Sequence, residues 1–155
     1  MLGKMTQNHF NIPASESADG NLSRLAIAIG CKPQAVVRIT DQEPMMALMQ
    51  RNIALNHAES KVEPSIYNWG GNYPPVTEHP DVLLAADCVY FEPAFPLLQQ
   101  SLEALIGPNT TCYFCFKKRR RADLRFMSVV NKRFAVEAVT GDPDRETYGR
   151  ENIFL

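Results

Sequence analysis

The stretch DVLLAADCVYFEP, residues Asp81–Pro93, decides the fold of this chain. Its apolar part, Val82–Ala86, is a short continuous run of the kind that forms a strand buried on both faces of a parallel sheet. The run ends directly in Asp87, and Tyr90 follows three positions later. Because ligands bind beyond the carboxyl ends of such strands, these two side chains could wall one opening, although the residues alone favour a simpler interpretation. The simpler interpretation is a helix cap followed by a packed aromatic ring.

On both sides of this stretch, residue patterns typical of strands alternate with patterns typical of helices. The other predicted strands are Ala35–Thr40, the weaker Val62–Trp69, Thr111–Phe116, Phe134–Val139 and one beginning within Glu151–Leu155. Four helices are predicted. The first ends within Leu25–Gly30, and the second begins at a Thr40-x-x-Glu43 capping box and runs to Asn56. The third runs from Pro93 to Leu105, and the fourth is Arg121–Lys132. This alternation predicts an α/β fold with a largely parallel sheet.

Length and composition favour one folded domain with a short leader. Of the 155 residues, 1–24 are rich in Ser, Asn, Gly and Asp and predict a weakly ordered leader, whereas 25–155 predict a domain whose last strand is truncated. Sixteen Lys and Arg against seventeen Asp and Glu give a net charge of -1, which favours neither nucleic acid nor a membrane as partner. Because the sequence shows no membrane span and no signal peptide, we expect a cytoplasmic protein, with the nucleus as the alternative location.

Two further residues fall at the ends of predicted strands. Asp41 closes the strand Ala35–Thr40, where a carboxylate can accept both hydroxyls of a nucleoside ribose, although it could equally cap the following helix. Trp69, beside two glycines, could stack on a flat base or serve as a core anchor at a strand end. The sequence alone leaves both alternatives open.

Two other patterns suggest chemistry but favour simpler interpretations. Cys112 and Cys115 lie three apart on a predicted strand, so their thiols point to opposite faces and we expect no metal site there. The basic run KKRRR, Lys117–Arg121, follows the same strand and could dock an acidic protein surface, contact RNA phosphates or act as a nuclear address. Its common interpretation is a solvated loop at the start of a helix.

The order of the motifs resembles a known family. AVVRITD, YNWG, DVLLAADCVYFEPAFPLLQQSLEALI, and then a strand followed by KKRRRADLRF resemble the seven-β-strand, S-adenosylmethionine-dependent protein-lysine methyltransferases. That group contains the valosin-containing-protein lysine methyltransferase and fungal elongation factor methyltransferases. The resemblance runs from about Leu25 to Leu155, and its most specific part is the signature DCVY after an apolar strand. It implies a Rossmann-like seven-stranded sheet and a methyltransferase domain over 25–155.

The resemblance also implies roles for individual residues. Asp41 would bind the ribose of S-adenosylmethionine, Trp69 would lie against its adenine, and the backbone of Ala86 would line its methionine end. Asp87 and Tyr90 would form the mouth at which a substrate lysine meets the methyl group. The implied partner is a protein, such as a translation elongation factor or a chaperone-like ATPase, and we expect a monomer without a metal.

The chain departs from the family where the cofactor loop should lie. Family members have a central first strand that ends in a glycine-rich loop, whereas this chain has NIPASESADGNLSR, residues 11–24, in that place. We therefore expect a sheet whose central first strand is lacking or replaced. This leaves a second hypothesis, a catalytically impaired variant or binding module, and a third, a nucleotide- or RNA-binding α/β domain that rests on KKRRR alone.

Overall fold

The computed structural model describes residues 36–71 and 79–155 of the chain. The strands are β1 (Val37–Asp41), β2 (Val62–Ile66), β3 (Val82–Ala86), β4 (Thr111–Lys117) and β5 (Ile153–Phe154). The α-helices are α1 (Met46–Leu55), α2 (Phe95–Leu105), α3 (Arg121–Arg133) and α4 (Arg145–Arg150). Short 3-10 turns, Glu43–Met45 and Glu92–Ala94, precede α1 and α2 and each contains a proline. The predicted α/β class is confirmed.

Two parallel strand pairs organise the described chain. β1 pairs with β2 from Val37↔Val62 to Asp41↔Ile66, and α1 connects them. β3 pairs with β4 from Val82↔Thr111 to Ala86↔Cys115, and α2 connects those two. β5 adds to β4 in the antiparallel sense. Because both pairs are parallel with a helical crossover, their carboxyl ends carry the turns where ligands bind in such sheets.

The larger apolar core lies between β3, β4 and the helices α2 and α3. Its buried members are Val89, Phe95, Leu98, Leu102, Phe116, Ala122, Phe126 and Val130. The rings of Phe95 and Phe126 lie 5.0 Å apart between centroids and join the two helices. Val89, which directly precedes Tyr90, is fully buried and anchors the turn after β3 in this core. A second cluster, formed by Ile39, Met49, Ile53, Ala58 and Val62, packs α1 against β1 and β2.

The predicted strand Phe134–Val139 is wrong. Residues 135–140 have no regular secondary structure, and Val136 is half exposed. In this segment only Val139 bonds to a strand-like partner, donating its N–H to the carbonyl of Leu155 at 3.1 Å. A strand is stable only when a ladder of such bonds forms, and alternating apolar residues do not supply the partner.

The capping box predicted from Thr40 and Glu43 is also wrong. Thr40 lies within β1, and the 3-10 turn before α1 begins after Gln42 without a side-chain cap. The strand extends by one residue further than predicted, so that Asp41 is its last member. Pairing of β1 with β2 therefore outweighs the local capping signal.

Among the described strands, β1–β2 and β3–β4–β5 form two separate sheets. The predicted leader, the predicted helix end Leu25–Gly30 and the segment 11–24 lie outside the described residues. None of the helices in the described ranges is long and apolar enough to cross a membrane.

Candidate active site

Asp41 is the last residue of β1 and lies at the carboxyl end of that strand. Its Oδ1 accepts the N–H of Gln42 at 2.7 Å, so the carboxylate bonds to its own turn and does not cap the helix. Burial, followed by the neighbouring groups of Asp87, Cys112 and Asp41, raises the pKa of Cys88 to about 12. A charge on β1 therefore lies within electrostatic range of a thiol that follows β3.

Asp87 occupies an unusual backbone conformation directly after Ala86, the last residue of β3. Its φ is 53°, in the left-handed region that costs most L-residues free energy but that Asp tolerates better than others. The N–H of Asp87 donates to the carbonyl of Cys115 at 2.8 Å, which continues the β3–β4 ladder by one bond. Strained conformations of this kind persist where the surroundings fix them, and they cluster at functional sites.

Arg119, two residues after β4, fixes the carboxylate of Asp87. Its Nη2 lies 2.9 Å from Oδ1 and 3.2 Å from Oδ2 of that carboxylate, so one nitrogen donates between both oxygens. Its Nη1 donates to the carbonyl of Val89 at 3.4 Å. The side chains of Asp87 and Arg119 are 48% and 37% exposed, so the pair lies at the rim and remains open to solvent.

Arg120 holds the next part of the same turn. Its guanidinium donates to the backbone carbonyl of Tyr90, whose ring is 58% exposed. Arg125 on α3 pairs with Glu92 at 2.9 Å a little further along. Three arginines from the β4–α3 region thus contact the segment from 87 to 92.

A buried carboxylate, Asp123, holds the two arginines in place. It accepts the backbone N–H groups of Arg119 and Arg120, both at 2.8 Å, at the first turn of α3. Burial opposes its charge, but these two bonds and the guanidinium of Arg120 outweigh burial and hold the pKa of Asp123 below its usual value. The carboxylate therefore shapes the basic turn without touching the opening itself.

Trp69 follows β2 and packs, partly buried, against the larger core. The next residue, Gly70, has a φ of 73° and donates its N–H to the hydroxyl of Ser101 on α2 at 3.0 Å. An added Cβ at Gly70 would meet Leu97 at 2.7 Å, so only glycine allows the close approach to α2. The core contact predicted as one alternative for Trp69 is observed, and the partly exposed ring leaves the stacking alternative in place.

The thiols near the opening are poor nucleophiles and poor ligands. Burial raises the pKa of Cys112 to about 11, and burial followed by Asp87 raises that of Cys115. Cys112 packs against the core, while Cys115 lies on the other side of β4, as the alternation of the strand predicts. Within the part of the chain that the structure describes, no cluster of His, Cys, Asp or Glu could hold a metal ion.

The sequence analysis did not assign Arg119 to the site. The basic run predicts a solvated loop or a docking surface, whereas the guanidinium groups of Arg119 and Arg120 contact the turn after β3. The signal that could have found them is topological. β3 and β4 are parallel neighbours, so an arginine just after β4 lies beside an acid just after β3.

Comparison with known proteins places these residues in a family. A profile described as lysine methyltransferase matches residues 21–133. The chain belongs to the lysine methyltransferase family. The matched range contains β1, the acid Asp87, and the arginines after β4.

Individual relatives agree with this assignment. The chain is 34% identical over 131 residues to protein-lysine N-methyltransferase EFM6 of Saccharomyces cerevisiae, which covers 77% of this chain and 53% of that protein. It is 34% identical over 120 residues to protein N-lysine methyltransferase METTL21A of Danio rerio, covering 74% and 54%. It is 30% identical over 114 residues to EEF1A lysine methyltransferase 3 of Xenopus tropicalis, covering 71% and 50%. The chain thus spans about half the length of the curated relatives it matches.

Members of a methyltransferase family take the methyl group from S-adenosylmethionine, and the described residues fit part of that molecule. An acid ends β1, a partly exposed indole follows β2, and the backbone of Ala86 ends β3. Besides burial, the charge of Asp41 contributes to the raised pKa of Cys88 in the turn after β3. The place of the family's glycine-rich loop, residues 11–24, lies outside the described residues.

Proposed function

We propose that this chain is an S-adenosylmethionine-dependent protein-lysine N-methyltransferase. The observation that carries the proposal is Asp87 at the carboxyl end of β3, held in a left-handed turn with its half-exposed carboxylate presented by Arg119. Family membership supplies the reaction class, and this acid supplies a place for a substrate lysine. Charged side chains on a fixed turn at a strand end are the usual position of such a group in α/β sheets.

Three strand ends would hold the cofactor. Asp41 would accept the ribose hydroxyls, Trp69 would lie against the adenine, and the backbone of Ala86 would line the methionine end. The position of Asp41 at the end of β1, within electrostatic range of the turn after β3, supports the first role. The partly exposed indole of Trp69, fixed by the Gly70 contact to α2, supports the second.

Asp87 and Tyr90 would form the lysine-facing mouth. S-adenosylmethionine would supply a methyl group on its sulfonium. Transfer to a lysine nitrogen that has lost a proton to water would break the S–CH3 bond, form an N–CH3 bond and leave the neutral thioether. The reaction needs alignment more than strong acid or base, because the nucleophile must approach in line. The carboxylate of Asp87 would orient the amine, and the exposed ring of Tyr90 would favour the methylated, cationic product nearby.

The fold would be the seven-stranded, Rossmann-like methyltransferase sheet with its central first strand lacking or replaced. Among the described strands β1 pairs only with β2 and β3 pairs only with β4, so each of these two strands, β1 and β3, has one side without a strand partner, which supports this arrangement. The substrate we favour is a translation elongation factor, because one relative is named an EEF1A lysine methyltransferase. A chaperone-like ATPase is the second choice. We further propose a monomer in the cytoplasm, or in the nucleus.

Methyl transfer to a purified protein tests the proposal. The chain is incubated with S-adenosylmethionine and EEF1A, and lysine methylation is read by mass spectrometry. We expect transfer by the wild-type chain and its loss in Asp87→Asn, with cofactor binding retained. Glu92→Gln is the matched control, since Glu92 lies in the same segment but pairs outward with Arg125. Equal transfer by the wild type and Asp87→Asn would remove Asp87 from the reaction.

A catalytically impaired family member is the second candidate. The observation that favours it is the division of the described strands into two separate sheets, together with the lack of clustered glycines in residues 11–24. Such a protein would keep the turn around Asp87 and could still contact a protein partner. It would not bind S-adenosylmethionine.

A further inference from the structure

Arg119 contacts both the acid of the proposed mouth and the backbone behind it. One nitrogen of the guanidinium lies 2.9 Å and 3.2 Å from the two oxygens of Asp87, and the other donates to the carbonyl of Val89 at 3.4 Å. The arginine therefore restrains the side chain and the turn together. Arginine suits this task because its planar fork makes several directed bonds at once.

The charge of Arg119 matters as much as its geometry. A lone carboxylate beside a substrate lysine stabilises the ammonium form, which cannot accept a methyl group. Paired with a guanidinium, the same carboxylate still offers lone pairs to orient an amine, but the local net charge is zero. A neutral pair therefore orients lysine without strongly favouring its protonated form.

We propose that Arg119 is a positioning residue that fixes Asp87 and balances its charge, so that a lysine at the mouth reacts as the neutral amine. The proposal rests on the proposed methyltransferase function. It assigns to the basic run a role inside the site, in place of a general docking surface.

The other groups that face Asp87 leave this balance in place. On its own turn and on β4, the thiols of Cys88 and Cys115 have raised pKa values, so they are uncharged at neutral pH. On the β4–α3 turn, the guanidinium of Arg120 is engaged with the carbonyl of Tyr90 and with Asp123. From β1, the charge of Asp41 acts on the neighbouring thiol of Cys88, where it is the smallest cause of the raised pKa after burial, Asp87 and Cys112, and no contact joins it to Asp87 among the described residues.

The backbone under Arg119 is fixed independently of the mouth. Asp123 is fully buried and accepts the N–H groups of Arg119 and Arg120. Because the backbone of Arg119 is already fixed, the residue loses less conformational freedom when its side chain contacts Asp87. This arrangement distinguishes it from Arg125, whose pair with Glu92 joins two well-exposed side chains.

The pH dependence of kcat tests the role of the charge. In Arg119→Gln the negative charge of Asp87 has no cation beside it, so the pKa of the bound lysine increases. The part of the pH profile in which kcat increases with pH therefore moves to higher pH. We expect a shift of roughly half a unit to one unit, because the pair is partly exposed. In that part of the profile the rate at fixed pH falls about three- to tenfold. Arg119→Lys restores the charge and should keep that part of the profile near its wild-type position.

Arg125→Gln is the matched control, since it removes the same charge and an ion pair of the same length from the neighbouring helix. We expect its pH profile to match that of the wild type. A second measurement needs no activity. Urea unfolding of Arg119→Gln, Asp87→Asn and the double variant should give losses of stability that do not add, because each single change removes the same contact.

The possible results distinguish a failure of the proposed role of Arg119 from a failure of the proposed methyltransferase function. Transfer by the wild type with an unshifted profile in Arg119→Gln overturns the charge role of Arg119. Faster transfer in that variant also overturns it, since Arg119 would then block the mouth. Additive losses in the unfolding cycle overturn the contact itself. Absence of transfer by the wild-type chain contradicts the proposed function, and the role of Arg119 in it, while a non-additive cycle would still establish the pair.

Discussion

Asp87 combines a left-handed backbone, a half-exposed carboxylate and an arginine partner within one residue. The left-handed backbone raises the free energy of the folded state, because a positive φ is unfavourable for L-residues. The ladder bond to Cys115, the buried Val89 and the contact from Arg119 offset this cost. A carboxylate kept at such a position, where glycine would fit more easily, is consistent with a role in chemistry.

The backbone cost at Asp87 can be measured by comparing glycine with alanine. Asp87→Gly should be about 1 kcal/mol more stable than Asp87→Ala, because glycine adopts a φ of 53° without strain. Asp41, in the extended strand β1, is the matched control, and there the glycine variant should be the less stable one. Urea unfolding of the four variants checks the sign. The same order at both positions would show that the turn is unstrained.

Asp123 should make stability depend on pH in acid. Its folded pKa is lowered, so its contribution is present above the unfolded value of about 4 and is lost as pH falls through the folded pKa. Asp123→Asn should cost about 1–3 kcal/mol at neutral pH, because an uncharged amide oxygen accepts the two backbone N–H groups more weakly and the amide NH2 would face the guanidinium of Arg120. The gap between wild type and variant should narrow below about pH 4. A gap in unfolding free energy that stays constant from neutral to acid pH would contradict this origin.

At the scale of elements, the turns after β3 and β4 act as one unit. Arg119 and Arg120 reach from the second turn to the first, across 32 and 30 positions of sequence respectively. The strands themselves were predictable, because an apolar run such as Val82–Ala86 is a local signal. The contact between their turns was not, because it depends on which strands are neighbours.

The elements that sequence reasoning misjudged share one cause. Phe134–Val139 has the alternation of a strand, but it obtains one bond, to Leu155, instead of a ladder. Thr40 has the spacing of a capping box, but the pairing of β1 with β2 includes it in a strand. In both cases a partner distant in sequence decides the conformation, and a local pattern cannot supply that information.

The core between α2 and α3 should depend strongly on one ring. Phe126 is buried and contacts the ring of Phe95 at 5.0 Å and that of Phe114 at 6.2 Å between centroids. Phe126→Ala should lower the unfolding free energy by about 3–5 kcal/mol through lost burial and a cavity. Leu124→Ala, on the exposed face of the same helix, should change it by less than about 0.5 kcal/mol. Similar losses in the two variants would contradict this packing.

Gly70 should be required where the segment after β2 approaches α2. Gly70→Ala should cost about 1–2 kcal/mol, because its φ is 73° and the new Cβ would meet Leu97 and Gln100. In contrast, Gly149→Ala in α4 should gain about 0.5–1 kcal/mol, since its Cβ meets no atom within 4 Å and alanine favours a helix. Thermal unfolding compares the two. A neutral Gly70→Ala would show that this segment is not held against the helix.

At the scale of the whole molecule, the order of motifs carried more information than any single residue. In the sequence alone, Asp41, Trp69 and Asp87 are each explained as well by capping or packing, and their order identified the family that the comparisons confirm. Order fixes which strand ends meet in a parallel sheet.

Calorimetric titration with S-adenosylmethionine tests the methyltransferase function most directly. We expect saturable binding of one cofactor per chain, weakened about ten- to a hundredfold in Asp41→Ala, because charged hydrogen bonds to the ribose would be lost. Asp87→Asn should bind the cofactor as the wild type does, since the proposed role of Asp87 is to face the substrate lysine. No detectable heat up to millimolar cofactor would contradict the active enzyme, and the chain would then be an impaired member of the lysine methyltransferase family.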